Sequence, residues 1–282
     1  MRIQIGGWFV PSTMKPAVIA LPLLLAACAS PATKSGFLTT YDGMAPRTDT
    51  VRAKVTQRRD DARLAGVQKV ALEPAVLAAN APWLTAPERR LLLREIDAQL
   101  CFELSERYEI VQRPDGAHRV RAAVTAVEPT GRVSSAASAA ASFFIPGPLG
   151  LRAPGTLGSL AAEAELLDGD QQIAAIAWNR AATPVGTDNP SLSRVGDALQ
   201  FAEPFADAAA AAMTAPGAQP RKIGTPDPCA QFGARFRVEG LAAKFATGLY
   251  VPEMSGAKAS EVADETPPPS RDAGGLGPVS ER

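Results

Sequence analysis

The spacing of apolar side chains predicts one long amphipathic helix near the middle of the chain. Its apolar face consists of residues that recur at helical intervals: Leu93, Ile96, Leu100 and Leu104. Thr85 precedes this repeat and Glu88 follows Thr85 by three residues, which is the pattern of a capping box. Pro87 suits the first turn of a helix. We therefore expect a helix over residues 85–107.

Strand-like patterns flank this helix on both sides. Residues 67–77 form an apolar run that Pro74 interrupts, as at the edge or end of a strand. Asp168-Gly169-Asp170 is a hairpin signal between two alternating segments. Strands are predicted over four further stretches: residues 108–111, 118–127, 157–167 and 171–182.

The remaining pattern completes the expected fold. An Ala-rich segment predicts a second helix over residues 203–214, with Pro204 in its first turn and three side chains facing inward: Phe205, Ala209 and Met213. The polar residues 45–66 are interpreted as loop that can include a short turn. Because the hairpins imply antiparallel pairing, we expect an α+β single domain, with a mostly antiparallel sheet of about four to six strands packed with two main helices.

Composition narrows the class of protein. The chain has 282 residues, 46% of them hydrophobic and 6% aromatic, and its formal net charge is zero. Without an excess of basic residues, we expect no nucleic-acid partner. Residues 253–282 are rich in Pro, Gly, Ser and acidic residues, so we expect a disordered tail that buries too little apolar surface to fold.

The N-terminus has the pattern of a secretory signal. Lys15 precedes the uncharged apolar stretch 17–27, which is too short to span a bilayer. Leu25-Ala26-Ala27-Cys28 resembles a bacterial lipobox, in which the Cys thiol receives the lipid and becomes the new N-terminus. The alternative is an ordinary signal peptide with a chance cysteine. Met14 is an alternative start to Met1.

These features give an expected order along the chain: a signal peptide (1–27), the lipidated Cys28 with its tether (28–36), one envelope domain (37–252) and the tail. Residue 29 is Ala, and in bacterial lipoproteins a residue other than Asp at that position favours the outer membrane. We therefore expect a lipid-anchored protein on the periplasmic face of the outer membrane. Its membrane contact would be the N-terminal lipid.

Four features together resemble a known family of bacterial lipoproteins. They are the lipobox, the Ser35-Gly36-Phe37-Leu38 segment followed by Tyr41, the β–α–β run over 67–111, and the apolar FFIPGPLG stretch. The chain is identified over about residues 35–215 as similar to the family named domain of unknown function 3313. The resemblance implies an envelope lipoprotein of unassigned activity, and it implies no catalytic residues. The apolar side chains within residues 35–44 are expected to dock on the domain.

No arrangement of residues predicts an active site. His118 is the one histidine, and its place at a strand start is typical of a surface residue. Glu163 and Glu165 lie two residues apart on one strand face, which could serve glycosidase chemistry but is interpreted as a solvated face. The sequence contains no Walker A or dinucleotide-binding motif and no metal-ligand spacing, so no cofactor or metal is expected.

The two cysteines that remain after Cys28 form an even pair. In an oxidising compartment we expect a disulfide between Cys101 and Cys229, which would hold the aromatic C-terminal segment 229–252 against the long helix. That segment is expected to wrap the domain. The alternative is two buried free thiols that pack as small hydrophobic side chains.

Residues 134–151 combine many small side chains with the bulky run Phe143-Phe144-Ile145. One interpretation is a short helix or buried loop packed on the sheet. The other is an exposed apolar surface that contacts a partner or the lipid. Two functional hypotheses follow from the whole sequence. The first is a non-enzymatic lipoprotein that binds an envelope protein or another envelope component, and the second is a periplasmic hydrolase with an unrecognised site.

Overall fold

The centre of the sheet is the hairpin that the sequence predicts around Asp168-Gly169-Asp170. In this computed structural model, its two strands pair antiparallel from Ser159 opposite Ala181 to Asp168 opposite Gln171. Gly169 has a φ of 61°, in the left-handed region that glycine adopts without strain. The structure describes residues 34–50, 52–113, 116–131, 150–151, 157–186 and 188–255.

Ten strands and five helices are formed by the described residues. The strands are β1 (Ala45–Pro46), β2 (Lys54–Arg59), β3 (Lys69–Leu72), β4 (Val76–Leu77), β5 (Glu109–Val111), β6 (His118–Glu128), β7 (Gly150–Leu151), β8 (Ser159–Asp168), β9 (Gln171–Ala181) and β10 (Val185–Gly186). The helices are α1 (Asp61–Leu64), α2 (Ala86–Ser105), α3 (Gly196–Met213), α4 (Val238–Thr247) and α5 (Pro252–Ser255). Within this part of the chain, no helix has the length and apolar character needed to cross a membrane.

The main sheet has eight strands in a mixed arrangement. Its order is β1-β2-β9-β8-β6-β3-β5, and β4 pairs with β6 beside β3. The pairs β3–β5, β3–β6 and β4–β6 are parallel, whereas the pairs along β1-β2-β9-β8-β6 are antiparallel. Strands β7 and β10 form a separate two-stranded sheet.

The expected fold, a mostly antiparallel sheet of about four to six strands with two main helices, is therefore wrong. The sheet is mixed and has eight strands, and the described residues form three helices of ten residues or more, α2, α3 and α4. Parallel pairs arise because α2 carries the chain from β3 back to the same end of the sheet, where β5 begins. The strands that the sequence pattern did not predict are short or polar. They therefore lack the alternation of apolar and polar residues that identifies a strand.

Strand β2 is the clearest of these omissions. It lies in the stretch 45–66 that was expected to be loop, and the interpretation of that stretch is wrong. Val55 is its one buried side chain, opposite Trp178 of β9, and the other five residues are polar. The strand forms because the backbone N–H and C=O groups on the free side of the buried strand β9 need partners.

Helix α2 confirms the sequence prediction. Thr85 is the N-cap, the Glu88 backbone N–H donates to Thr85 Oγ1, and the Thr85 N–H donates to the Glu88 carboxylate at 2.9 Å. Arg194 also binds this carboxylate, at 3.0 Å and 2.7 Å. The Arg194 hydrogen bond is the main reason that the pKa of Glu88 falls to about 2. The cap thus ties the start of α2 to the residues just before α3.

Helix α3 starts seven residues before the predicted position, so Pro204 lies inside the helix and not in its first turn. Pro204 has no N–H to donate to the Gln200 carbonyl, and a proline inside a helix costs about 3 kcal/mol. Leu199 and Phe201, both buried in the added turns, each contribute about 1.5–3 kcal/mol, which offsets this cost. Burial on the sheet therefore decides where the helix begins.

The core lies between one face of the sheet and helices α2 and α3. Phe205, Ala209 and Met213 are fully buried, as predicted. The ring of Trp178 lies 6.5 Å from Phe201 and 5.9 Å from Phe205, in edge-on and tilted arrangements that favour aromatic contact. This helix layer leaves the opposite face of the sheet to be covered by another part of the chain.

The predicted disulfide between Cys101 and Cys229 is confirmed. Both residues are buried, and their Cα atoms are 5.8 Å apart. The bond closes a loop across a sequence separation of 128 residues, and a loop of that size contributes about 5 kcal/mol in the chain-entropy account. It fixes the start of the C-terminal segment on α2.

The C-terminal segment follows the helix layer only in part. Phe232 packs against the disulfide cluster, and the Tyr250 N–H donates to the Pro190 carbonyl at 2.9 Å. Phe236 and Phe245, by contrast, are 69% and 80% exposed. The expectation that this segment wraps the domain is therefore correct at its two ends and wrong between them.

Asp97 of α2 compensates for the interruption that Pro74 introduces between β3 and β4. Its Oδ1 accepts a hydrogen bond at 2.8 Å from the backbone N–H of Ala75, just after the proline. Burial raises the pKa of Asp97 to about 6, and the Ala75 hydrogen bond and the charge of Arg94 oppose this shift. The carboxylate is thus partly desolvated where α2 packs against the chain between β3 and β4.

Changing Asp97 to Asn should stabilise the protein at neutral pH. The folded-state pKa of about 6 lies above the ordinary value of 3.8, so the folded state loses stability as the pH rises between these values. An Asn carbonyl can still accept the Ala75 hydrogen bond and carries no charge. Urea unfolding at pH 7.5 should show a gain of about 1–3 kcal/mol for Asp97→Asn, with no gain at pH 4.

Glu106→Gln is the matched control, because Glu106 caps the same helix and is exposed. Its unfolding free energy should stay within about 0.5 kcal/mol of the unchanged protein at both pH values. A destabilised Asp97→Asn protein at pH 7.5 would contradict this account of the Asp97 carboxylate.

Candidate functional site

Residues Ser35–Tyr41, called the latch below, lie on the face of the sheet opposite the helices. Hydrogen bonds tie the latch to Glu163 and Glu165 of β8 and to Gln172 of β9. Leu38 is 5% exposed, so the predicted docking of this segment on the domain is confirmed. The latch supplies the cover that this face of the sheet needs.

The pattern of β8 places both glutamates on the latch side. The alternate residues Leu160, Ala162, Ala164 and Leu166 belong to the core beneath the helices. Glu163 pairs across the sheet with Ala123 and Ala177, and Glu165 pairs with Arg121 and Ala175. The small alanine side chains leave room above the sheet for a chain segment to approach closely.

The interpretation of Glu163 and Glu165 as a solvated strand face is wrong. Their exposed fractions are 2% and 0%. A buried carboxylate is tolerated only when hydrogen bonds and charge replace the water that it loses. The donors around each glutamate are therefore the central feature of the site.

Glu165 accepts four hydrogen bonds, and all four partners are donors from outside its own strand. Thr39 donates its backbone N–H to Oε2 at 2.8 Å and its hydroxyl to Oε1 at 3.0 Å. Arg121 Nε donates to Oε1 at 2.5 Å, and Gln172 Nε2 donates to Oε2 at 2.7 Å. One latch residue, one cation and one amide thus satisfy both oxygens of the carboxylate.

Glu163 is held by two hydroxyl groups of the latch. Ser35 Oγ donates to Oε2 at 2.5 Å, and the Tyr41 hydroxyl donates to the same oxygen at 2.8 Å. The Tyr41 oxygen in turn accepts the backbone N–H of Gly36 at 2.9 Å. The first and last residues of the latch therefore meet on one carboxylate, and the segment closes on itself.

Arg121 and Gln172 extend this network over the latch backbone. Arg121 Nη2 donates to the Phe37 carbonyl at 3.1 Å, and its guanidinium lies 5.0 Å from the centre of the Phe37 ring. Gln172 Nε2 donates to the Thr40 carbonyl at 3.0 Å, while Arg58 Nη1 donates to Gln172 Oε1 at 3.0 Å. The site therefore binds the latch by its backbone as well as by its side chains.

The arrangement is suited to holding a chain segment. Acid or base catalysis needs a carboxylate whose oxygen can reach a substrate. Here the oxygens of Glu163 and Glu165 are directed at Ser35, Thr39 and Tyr41 of the same chain. Among the described residues, no three His, Cys, Asp or Glu side chains are grouped as metal ligands.

A polar crevice of about 410 Å³ lies elsewhere, between the helix layer and the C-terminal segment. Several of its polar side chains bind one another. Arg180 and Arg52 both form ion pairs with Asp188, and Gln99 donates to the buried Glu95 at 2.7 Å. The crevice is a concave surface that carboxylates line in part, and no residue of the latch contributes to it.

The structure describes some of the candidate residues from the sequence and not others. Cys101 and Cys229 are joined, and His118 lies at the start of β6 with Nε2 3.9 Å from Asp168. Cys28 and the run Phe143-Phe144-Ile145 lie outside the described residues. The residues that sequence reasoning missed as a site are Arg121, Gln172 and the two glutamates. The signal for them is the unbroken apolar run 173–178 of β9, which is typical of a strand buried on both faces.

Changing Glu165 to Gln should destabilise the protein, because the new NH₂ group would face donors and Arg121 would lose its counter-charge. Breaking a buried pair of this kind costs about 3 kcal/mol. Denaturant unfolding of the full chain measures this loss. Thr39→Val removes one hydroxyl donor and should cost about 1 kcal/mol.

Glu109→Gln provides the control on the same sheet. Glu109 pairs with Lys69 at 3.0 Å, but both side chains are about half exposed. Its loss should change the unfolding free energy by less than about 0.5 kcal/mol. Equal effects of the Glu165 and Glu109 substitutions would refute the assignment of the latch network as a buried anchor.

Comparison with known proteins places the chain in a family but gives it no activity. No curated protein matches it. Among solved structures it is similar to the PelC dodecamer from Paraburkholderia phytofirmans in space group P6, at 12% identity and a TM-score of 0.36, over 58% of this chain and 98% of that chain. A substituted PelC dodecamer from the same organism in space group C2 gives 10% identity and a TM-score of 0.35, over 57% and 98% of the two chains. At these scores the likeness carries no inference about fold or function.

The family described as "Protein of unknown function (DUF3313)" matches residues 33–209. The match begins just before the latch and ends within α3, so it includes the latch, the glutamates of β8 and the central hairpin. It covers more than half of the chain, and the protein therefore belongs to the DUF3313 family.

Proposed function

We propose that this protein is a non-enzymatic lipoprotein of the cell envelope, cut and lipidated at Cys28 and held on the periplasmic face of the outer membrane. There it binds a protein partner or another envelope component. The observation that carries the proposal is the lipobox Leu25-Ala26-Ala27-Cys28, followed after only six residues by the latch.

The latch would transmit force on the lipid anchor to the sheet of the folded domain. Six residues, 29–34, separate Cys28 from the latch, and six extended residues span at most about 22 Å. The chain then enters a segment whose hydroxyls and backbone are bound by Glu163 and Glu165. A pull on the lipid would therefore be resisted by the buried carboxylates of the sheet and not by a loose terminus.

Two further observations support the envelope location and the non-enzymatic role. The disulfide between Cys101 and Cys229 is of the kind that persists in oxidising compartments. The paired carboxylates Glu163 and Glu165 are occupied by the protein's own chain. A periplasmic hydrolase, the alternative from sequence, needs an acid–base pair that can reach a substrate.

The partner contact is proposed at Phe143, Phe144 and Ile145. These residues belong to the connection between β6 and β8, which leaves the sheet after Glu128 and returns at Ser159. Because β6 and β8 are antiparallel neighbours, both ends of this connection lie at one end of the sheet. An exposed apolar run of this kind would suit an envelope protein as partner.

Replacing Cys28 by Ser tests the anchor. The thioether cannot form without the thiol, so the variant should lose metabolic labelling by palmitate and leave the outer-membrane fraction. The unchanged protein should be labelled and should remain in that fraction after envelope fractionation. A labelled or membrane-bound Cys28→Ser protein would refute lipidation at this position.

Ala29→Asp is the matched control, since it keeps the thiol and changes only the following residue. It should still be labelled but should move to the inner membrane. Loss of labelling in this variant would instead indicate that the signal is not a lipobox.

A further inference from the structure

A small cavity lies between α2, the sheet and the C-terminal segment. None of the residues that line it belongs to the latch. Its volume is about 110 Å³. An engineered apolar cavity of about 150 Å³ accommodates benzene, so this one is large enough for a chain of four or five carbons. Most of its wall is apolar, with contributions from four side chains of the sheet and helix and one of the C-terminal segment: Leu72, Leu100, Ile110, Val120 and Phe232.

The polar part of the wall consists of two carboxyl side chains, Asp97 and Glu73, and two amide side chains, Gln112 and Gln231. Within the described residues, the backbone N–H of Ala75 is the one hydrogen-bond donor to the Asp97 carboxylate, and it binds Oδ1 at 2.8 Å. Glu73, which is partly exposed, is bound by Arg119 at 3.1 Å. Oδ2 of Asp97 is therefore available to a donor that enters the cavity.

Arg94 is the cation whose charge acts on Asp97, and its guanidinium also binds the C-terminal segment. The guanidinium donates to the Gln231 carbonyl at 2.7 Å and lies 5.5 Å from the centre of the Phe232 ring. A carboxylate at an apolar wall is costly unless a cation or donor compensates it. An aliphatic chain that ends in a positive charge would pack against the apolar wall and compensate the charge of the Asp97 carboxylate.

We propose that this cavity binds a primary alkylammonium group, with the aliphatic stem against the apolar wall and the N–H groups donating to Asp97. The ammonium comes either from a free small amine or from a lysine side chain, since the two share this chemistry. Anions are excluded by the two carboxylates. A neutral alkyl chain would fill the same wall without compensating the Asp97 charge.

The disulfide completes the site. Cys101 lines the cavity, and its bond to Cys229 holds the segment that contributes Pro228, Gln231 and Phe232 to the wall. The cavity therefore assembles when the two cysteines are oxidised. It does not depend on the lipid anchor proposed above, so the failure of one proposal leaves the other unaffected.

Ligand-observed NMR titration of the mature protein tests the site with n-pentylamine and n-pentanol as probes. The amine should bind the unchanged protein and the Glu106→Gln control equally. Asp97→Asn should weaken its binding about tenfold, as expected for a lost hydrogen bond to a charged group. Binding of n-pentanol should be weaker and unaffected by Asp97→Asn.

Nα-acetyl-lysine methylamide distinguishes the sources. If it binds as n-pentylamine does, the ligand is a lysine side chain, and if only n-pentylamine binds, the ligand is a free amine. Ala122→Leu fills the cavity without touching the carboxylate and should abolish amine binding, which keeps the test decisive if Asp97→Asn folds poorly. Absence of amine binding, or binding that neither substitution reduces, would overturn the proposal.

Discussion

The burial of two carboxylates on one strand is the constraint on which this structure depends. Glu163 and Glu165 occupy the face of β8 that the helices do not cover, and almost none of either side chain is exposed. Such groups are tolerated only with donors in place. The latch supplies most of those donors, so the outer face of the sheet and the latch stabilise one another.

The C-terminal segment is attached to the domain in a different way. The disulfide between Cys101 and Cys229 fixes the C-terminal segment on α2, on the helix side of the sheet. The latch is held by hydrogen bonds and charge, whereas the C-terminal segment is held by a covalent bond. Both terminal segments therefore contribute to surfaces that the central hairpin and its helices could not complete alone.

Local signals in the sequence predict the features that depend on neighbouring residues. The Thr85–Glu88 cap, the hairpin at Gly169 and the inward face of α3 are confirmed because short-range rules determine them. The pairing of Cys101 with Cys229 could also be predicted, since only two cysteines remain once Cys28 is set aside.

Features that depend on distant partners could not be predicted in this way. Strand β2 forms because β9 needs a neighbour, and its own residues are nearly all polar. The length of α3 is set by burial of residues ahead of Pro204, which outweighs the cost of the proline. The latch site combines both difficulties. Alternation along β8 indicates that Glu163 and Glu165 share a face, but only the apolar run of β9 beside them indicates that this face is buried.

Hydrogen–deuterium exchange of the latch amides in the full chain most directly tests whether the buried carboxylates of β8 hold the latch on the sheet. The Thr39 N–H is bound to the Glu165 carboxylate and the Gly36 N–H to the Tyr41 oxygen. Both amides should exchange far more slowly than those of an unfolded peptide, at rates that approach those of β8. Exchange of both at the rate of an unfolded peptide would show that the latch is not held on the sheet, and would contradict the account.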